Sequence, residues 1–444
     1  MSNGEHSRRE WLTALGSAGL LGLAGCSSAR DDDDGAFRTG TGTATDATGT
    51  GTTAGDGTTD DGTTTEDSSA AETVPVAVLA PTSGGLGDLG TSQLRGAELA
   101  VERVNESDAY GFGIELATAD TEAHPNRARA ELEQIAGEQG VDFAVGGITA
   151  PVSLALSEVA WEFEQVYFSG SQTATITGSS CNPGTFRCET STARMAGALS
   201  SFVAADLGSN VWFHYADYAY GNDVYEMVRE ALASTDDAFA EAGNSTSEIG
   251  TTDFSTVIER IGQSDAETVV LGLPPSDLVT FLAQADARGL SDEVALASPS
   301  GGSRAVRRGA GESAVGTYGG VRYHPSLETG DNRAFVDAYA SRHGERPDNF
   351  ARVGFDSVRL VAKGIRAAGS TDPGDVRDAL KGDTFTTVLG DVIISPENRQ
   401  AINPAWVGEL TAGSEYPDVE LQHEVGADEL LLPGSELARQ CGDR

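Results

Sequence analysis

From Thr73 onward, short apolar runs alternate with amphipathic segments, and this alternation constrains the fold more than any other feature of the chain. "TVPVAVLA" is continuously apolar, as a strand buried on both faces must be. Residues 91–107 follow as a helix, with Leu94, Ala97, Val101 and Val104 on one face. "IELATAD", "VDFAVGG" and "VYFSGS" read as further strands, separated by helices near 124–139 and 151–164. A helix near 192–206 leads into "NVWFHYA", a helix at 222–234 and a strand around 238–244. Helices at 253–262 and 276–288 then feed "ETVVLGL" and "VALASPS". Such regular alternation predicts an α/β fold, with parallel sheets covered by helices on both faces. After "GTYGGVRYH" the order changes to helices near 331–343, 349–368 and 373–381, then short strands near 385–395 and 405–411. Late helices and strands after two βα runs predict two lobes assembled from discontinuous pieces. About 370 residues exceed what one core usually organises.

Ahead of this region stands a different kind of chain. Arg8-Arg9 precede an apolar stretch from Trp11 to Gly25, shorter than the ~20 residues of a membrane-spanning helix. Length and flanks match a twin-arginine export signal over residues 1–25, and Leu23-Ala24-Gly25-Cys26 resembles a lipobox with Cys26 as the lipidated residue. Residues 26–72 are almost entirely Thr, Gly, Asp and Ala. Such a tract cannot bury enough apolar area to offset its ordering entropy, so a coiling tether is expected.

The 444 residues carry 68 acidic against 29 basic side chains, a net charge of −39. Only Lys363 and Lys381 are lysines. This field disfavours nucleic acid and anionic lipid as partners and suits life in strong brine, where salt screens self-repulsion. With Cys26 lipidated, Cys181, Cys188 and Cys441 remain in an oxidising compartment. Cys181 and Cys188 flank the turn-rich "NPGTFR" and are expected to pair, leaving Cys441 unpaired or bridged elsewhere.

Motifs for chemistry are few. Gly85, Gly87 and Gly90 have G-x-G-x-x-G spacing, but "PTSG" separates them from the strand end, although Asp120 does close the second strand. That argues for a ligand-facing loop over a dinucleotide site. No G-x-S-x-G or H-E-x-x-H occurs, and six histidines stand without metal-ligand spacing, so no catalytic residue, metal or cofactor is expected. Hydroxyls cluster just past a strand at Ser169, Ser171, Thr173 and Thr175, where they can hold a carboxylate or amide oxygen or simply form a solvated loop. Asp217, Tyr218 and Tyr220 precede a helix and can serve as a lid or as packing.

"SGGLGDLGTSQLRGAELAVERVN", "VYFSGSQTAT", "ADYAYGND" and "AFVDAYASRHGERPDNFARVGFDSVRLVAKGIRAAG", in that order, resemble type I extracytoplasmic solute-binding proteins. The branch is that of binders of branched-chain amino acids, amides and urea that feed ABC importers, and the likeness runs over residues 74–412. It implies two Rossmann-like lobes joined by three crossovers, with ligand enclosed between them. The first lobe is then expected at 73–205 and 324–384, the second at 206–323 and 385–425, with 426–444 as a tail. The family's ligand contacts fall on Ser83 and the loop to Leu89, Thr149, Ser171, Thr173, Tyr220 and Ser300. Three positions depart from the family: Ala150 stands where a serine is usual, Leu89 for an aromatic, and Ser300 for the acid that pairs an ammonium. Either Asp217 or Asp277 substitutes, or the ligand is no α-amino acid. The resemblance implies a monomer, tethered at the outer face of the membrane, handing a small polar solute to a permease with its ATPase. A ligand sensor of the same fold, or a tethered amidohydrolase, are the competing functions.

Overall fold

Every residue from Val76 to Ala80 is buried, as a strand lying between two neighbours and under two helical layers must be. This is β1 (Thr73–Ala80). The computed structural model describes residues 73–427. The leader, Cys26, the tract to residue 72, nearly all of the tail and Cys441 lie outside the described residues.

Along the chain follow α1 (Gly87–Asn105), β2 (Gly113–Asp120), α2 (Pro125–Gln139), β3 (Phe143–Gly146), α3 (Ala150–Glu162), β4 (Val166–Ser169) and β5 (Thr185–Arg187). The chain then makes α4 (Thr192–Phe202), β6 (Asn210–Ala216), α5 (Ala219–Thr235), β7 (Ala240–Ser247), α6 (Ser255–Gly262) and β8 (Thr268–Gly272). Next come α7 (Pro275–Ala287), β9 (Ala295–Ser298), α8 (Arg304–Ala310) and β10 (Tyr318–Val321). Helices α9 (Asn332–His343), α10 (Asn349–Ala368) and α11 (Pro373–Leu380) precede β11 (Thr384–Thr387), β12 (Gly390–Ile393), β13 (Ala405–Thr411) and β14 (Asp418–Val425).

Five parallel strands form the first sheet in the order β2-β1-β3-β4-β5. The second runs β14-β13-β10-β9-β8-β6-β7, parallel except where β13 pairs antiparallel with β10 and β14. Strand order reverses at β1 in one sheet and at β6 in the other, which opens a crevice at the carboxyl ends of both. The chain passes between the lobes after β5, after β10 and after β12.

Helix α10 has the boundaries its sequence specifies. The Asp348 carboxylate accepts from the Ala351 N–H at 3.0 Å, and Gly369 ends the helix in the left-handed region. It crosses α1 at reciprocal glycines: a Cβ on Gly96 would stand 1.9 Å from the Ala351 carbonyl oxygen, and one on Gly354 2.0 Å from that of Gln93. Two backbones thus meet where side chains would hold them apart.

Two expectations change. Cys181 is disulfide-bonded, but Cys188 is a free thiol in the core, so these two do not pair. The cause is β5, an extended edge strand registered Tyr167↔Thr185 to Ser169↔Arg187. It carries Cys188 inward against α10, where Sγ lies 3.1 Å from Ser357 Oγ and donates to the Val353 carbonyl at 3.6 Å. The hairpin β11–β12, assigned above to the second lobe, packs instead with the first-lobe core through Phe385, Val388 and Val392. The Val388 N–H donates to Asp356 on α10 at 3.1 Å, and Lys363 donates to the Thr386 carbonyl. The return to the second sheet begins only at β13.

Candidate functional site

The loops at the carboxyl ends of both sheets, the crossover after β10 and the turn between β13 and β14 surround a cavity of about 600 Å³. Its first-lobe wall includes Leu89 at the start of α1 and Gln172 after β4. Tyr218 and Tyr220 after β6, Pro275 after β8 and Ser300 after β9 face them from the second lobe. Arg322 and His324 after β10, with Asp348 and Phe350 at the start of α10, form the hinge side. Strand ends collect at such a place because each parallel strand delivers its following loop to the same edge.

The structure brings Tyr220 and Ser300 onto the cavity wall, with their hydroxyls hydrogen-bonded. Burial raises the Tyr220 pKa, while the bond from Ser300 and the Arg322 charge pull against that rise. Ser171 and Thr173 flank Gln172 in one loop; Ser171 is buried and accepts from the Thr173 N–H at 3.4 Å. Ser83 is exposed and turns to Asp120, whose Oδ1 also accepts from the Thr82 N–H at 2.9 Å. Burial would raise the Asp120 pKa, but these hydrogen bonds hold it low. The would-be dinucleotide acid therefore closes a turn. Thr149 precedes α3 with its carbonyl accepting from Ser153 N–H at 2.9 Å, and Ala150 opens that helix. Asp277 is buried and accepts from Gly250 N–H at 2.8 Å and Ser276 Oγ at 2.9 Å. Neither it nor the exposed Asp217 is on the wall.

A buried ionic group at the hinge escaped the sequence reading. Glu189 is fully buried; Oε2 accepts from Arg322 Nη1 at 2.7 Å and Asn349 Nδ2 at 2.5 Å. Its Oε1 accepts from Arg352 Nη2 at 3.0 Å and the Thr190 N–H at 2.7 Å. Burial would lower the Arg352 pKa, yet Glu189, with Cys188 and Asp356 adding to it, more than offsets that fall. Breaking one partner of such a group costs about 3–5 kcal/mol, because the other charge stays buried. Nearby, Arg187 donates to Gln400, to the Thr173 carbonyl and to Thr177 Oγ1, all neutral acceptors. Burial lowers its pKa to about 9, against the pull of Glu189. The one available signal was "VRYHP": a basic residue directly past a strand end in so acidic a chain.

His324 sits between Ser326 Oγ, 2.6 Å from Nδ1, and Asp418 Oδ1, 3.1 Å from Nε2. The connectivity is that of a Ser-His-Asp relay, but Nδ1 also accepts the Ser326 N–H at 3.3 Å, the bond of a tight turn. Ser326 is not on the cavity wall. Among the described residues no group of three His, Cys, Asp or Glu side chains is placed to hold a metal ion.

A family model described as periplasmic binding protein matches residues 73–415. The chain is similar to a leucine-, isoleucine-, valine-, threonine- and alanine-binding protein of Pseudomonas aeruginosa, with 24% identity over 330 residues, 73% of this chain and 86% of that one. In fold it is similar to an amino acid ABC transporter substrate-binding protein from Pseudomonas fluorescens, with a TM-score of 0.76 and 20% identity over 84% of this chain and 99% of the other. A solute binding protein of an ABC transporter from Rhodopseudomonas palustris, in complex with p-hydroxybenzoic acid, has a TM-score of 0.71 and 20% identity over 83% and 100% of the chains.

Proposed function

Since the chain belongs to the periplasmic binding protein family, we propose that it captures a small polar solute outside the cell and hands it to an ABC import permease. The observation that carries this reading is the cavity of about 600 Å³ walled by strand-end loops of two separate sheets, the size and place of a small-molecule site. Relatives named for amino acid binding, and the one holding an aromatic acid, put amino acids and small carboxylates in range. The protein acts by binding alone. The hydrolase alternative would need Ser326 as nucleophile, and that hydroxyl lies off the wall.

Residues 1–25 direct export by the twin-arginine route, Cys26 carries lipid, and the Thr/Gly/Asp tract lets a monomeric binding unit move near its permease. A tether of that kind raises local concentration without any new contact. Closure of two lobes around the solute is a hinge motion between populated states.

Thermal shift against amino acids, amides and hydroxybenzoates should find a solute that raises the melting temperature. Scattering with that solute should then show a smaller radius of gyration. A panel that leaves both unchanged overturns capture by a closing cleft. In cells, Cys26→Ser should release the protein from membranes; unchanged membrane partition overturns the anchor alone.

A further inference from the structure

We propose that the cleft takes a small organic anion, a carboxylate with an apolar body and no ammonium group, held by Arg322 together with Tyr220 and Ser300. This names the ligand class of the capture site and rests on that reading.

On the second-lobe wall the site offers hydroxyls rather than a carboxylate: Ser300 is hydrogen-bonded to Tyr220. Across from it stands a guanidinium. Arg322 lines the cavity with its side chain 15% exposed, and its Nη1 donates to Glu189. Nε and Nη2 make no hydrogen bond to the described residues. Glu189 is also claimed by Arg352, which faces the buried Asp356 carboxylate as well. Behind the Thr173 loop, Arg187 adds a third guanidinium, with only neutral acceptors. Arg322, Arg352 and Arg187 thus stand against Glu189 and Asp356, three cations to two anions, behind the wall of a site in a chain of net charge −39.

Of the three carboxylates on the wall, two are already paired. Asp348 accepts from Ser92 Oγ at 2.5 Å, caps α10 and pairs with Arg304 at 3.6 Å. Asp418 pairs with Arg307 at 3.4 Å and meets His324 at 3.1 Å. Glu415 is exposed, as is Arg346, which makes no ion pair with the described residues. An ammonium at Arg322 would meet like charge, whereas a carboxylate there gains charge-assisted hydrogen bonds from a preset fork. Leu89, Pro275, Pro299, Val321, Phe350 and Tyr218 supply the apolar remainder of the wall. Buried guanidiniums are screened little by salt, so the preference should persist in brine.

Calorimetry on matched sets tests this: 4-methylpentanoate, its amide and leucine; phenylacetate, its amide and phenylalanine; 4-hydroxybenzoate and its amide. At least one carboxylate should bind tenfold or more tighter than its amide and its amino acid. Arg322→Gln should weaken that carboxylate about ten- to a hundredfold and its amide by clearly less. Arg322→Lys retains the charge and should retain the preference. Ser300→Asp, on a partly exposed loop, should repel the carboxylate whether or not Arg322→Gln folds. Leucine or phenylalanine binding tighter than its carboxylate overturns the proposal, as does unchanged carboxylate affinity in the variants or no bound carboxylate at all. Compaction with leucine would overturn this ligand class while leaving solute capture standing.

Discussion

Cys188 shows how far one side chain's chemistry is set by its surroundings. Burial pushes its thiol pKa up to about 12; Arg352 opposes that and Asp356 adds to it. A thiolate is the reactive form, so Cys188 should be inert in the folded protein. Maleimide without reductant should leave Cys188 unmodified in native protein and modify it in urea, read by peptide mapping; rapid native labelling would contradict the burial. His214 is a second case. It packs against Phe254 and Phe281 at 5.6 Å, with Nδ1 3.0 Å from Ser245 Oγ and Nε2 without a partner among the described residues. Burial lowers its pKa to about 4, the Ser245 bond partly opposing and Arg260 adding to the fall. The unfolded chain, with a histidine near 6.5, takes up the proton first. Stability should therefore fall by up to about 3 kcal/mol as pH drops from 6.5 towards 4. His214→Phe, compared with wild type by urea unfolding across that range, should remove this part of the slope.

Between elements, the α1–α10 crossing is the contact least able to give. Gly354→Ala would set a Cβ 2.0 Å from the Gln93 carbonyl oxygen, backbone that cannot rotate away. Overpacking of that kind costs about 1–3 kcal/mol or more. Gly137, inside α2, has nothing within 4 Å of an added Cβ. Gly137→Ala should instead gain about 0.5–1 kcal/mol from helix propensity. Urea midpoints of the two variants should move in opposite directions; equal shifts would deny the close crossing. The long helices and central strands were legible because their periods repeat several times. β5, with three residues, and α8, with seven, are too short for a period to register. β14 is a half-exposed edge strand rich in charge, so its alternation gave little apolar signal.

At the scale of the molecule, the lobes meet through Arg304 as well as through the crossovers. From α8 in the second lobe its Nη1 reaches Asp348 at 3.6 Å and Glu345 at 3.9 Å, and Nη2 donates to the Arg346 carbonyl at 2.8 Å. Partly exposed pairs of this kind contribute about 0.2–1 kcal/mol and are weakened by salt. Arg304→Gln should therefore bind solute about two- to fivefold more weakly at low ionic strength. The deficit should shrink in molar salt. A deficit independent of salt would mean that Arg304 acts through something other than this clasp.

Apolar periodicity by itself determined the α/β class, the two runs of βα units and most element boundaries, because a period records locally which face leaves water. The family's motif order further placed Tyr220 and Ser300, which the structure brings to one wall. Charge pairing and cysteine partners were decided only by the tertiary structure. Glu189 meets Arg322 across 133 residues, and Ser92 meets Asp348 across 256. No local pattern encodes such distances. Cys181 and Cys188, seven positions apart, are separated by the extended path of β5, and Arg322 reaches the cavity wall because a crossover delivers it beside Tyr220. Backbone preference acts within a few residues. The environment of a buried charge is set by whatever the chain folds against it.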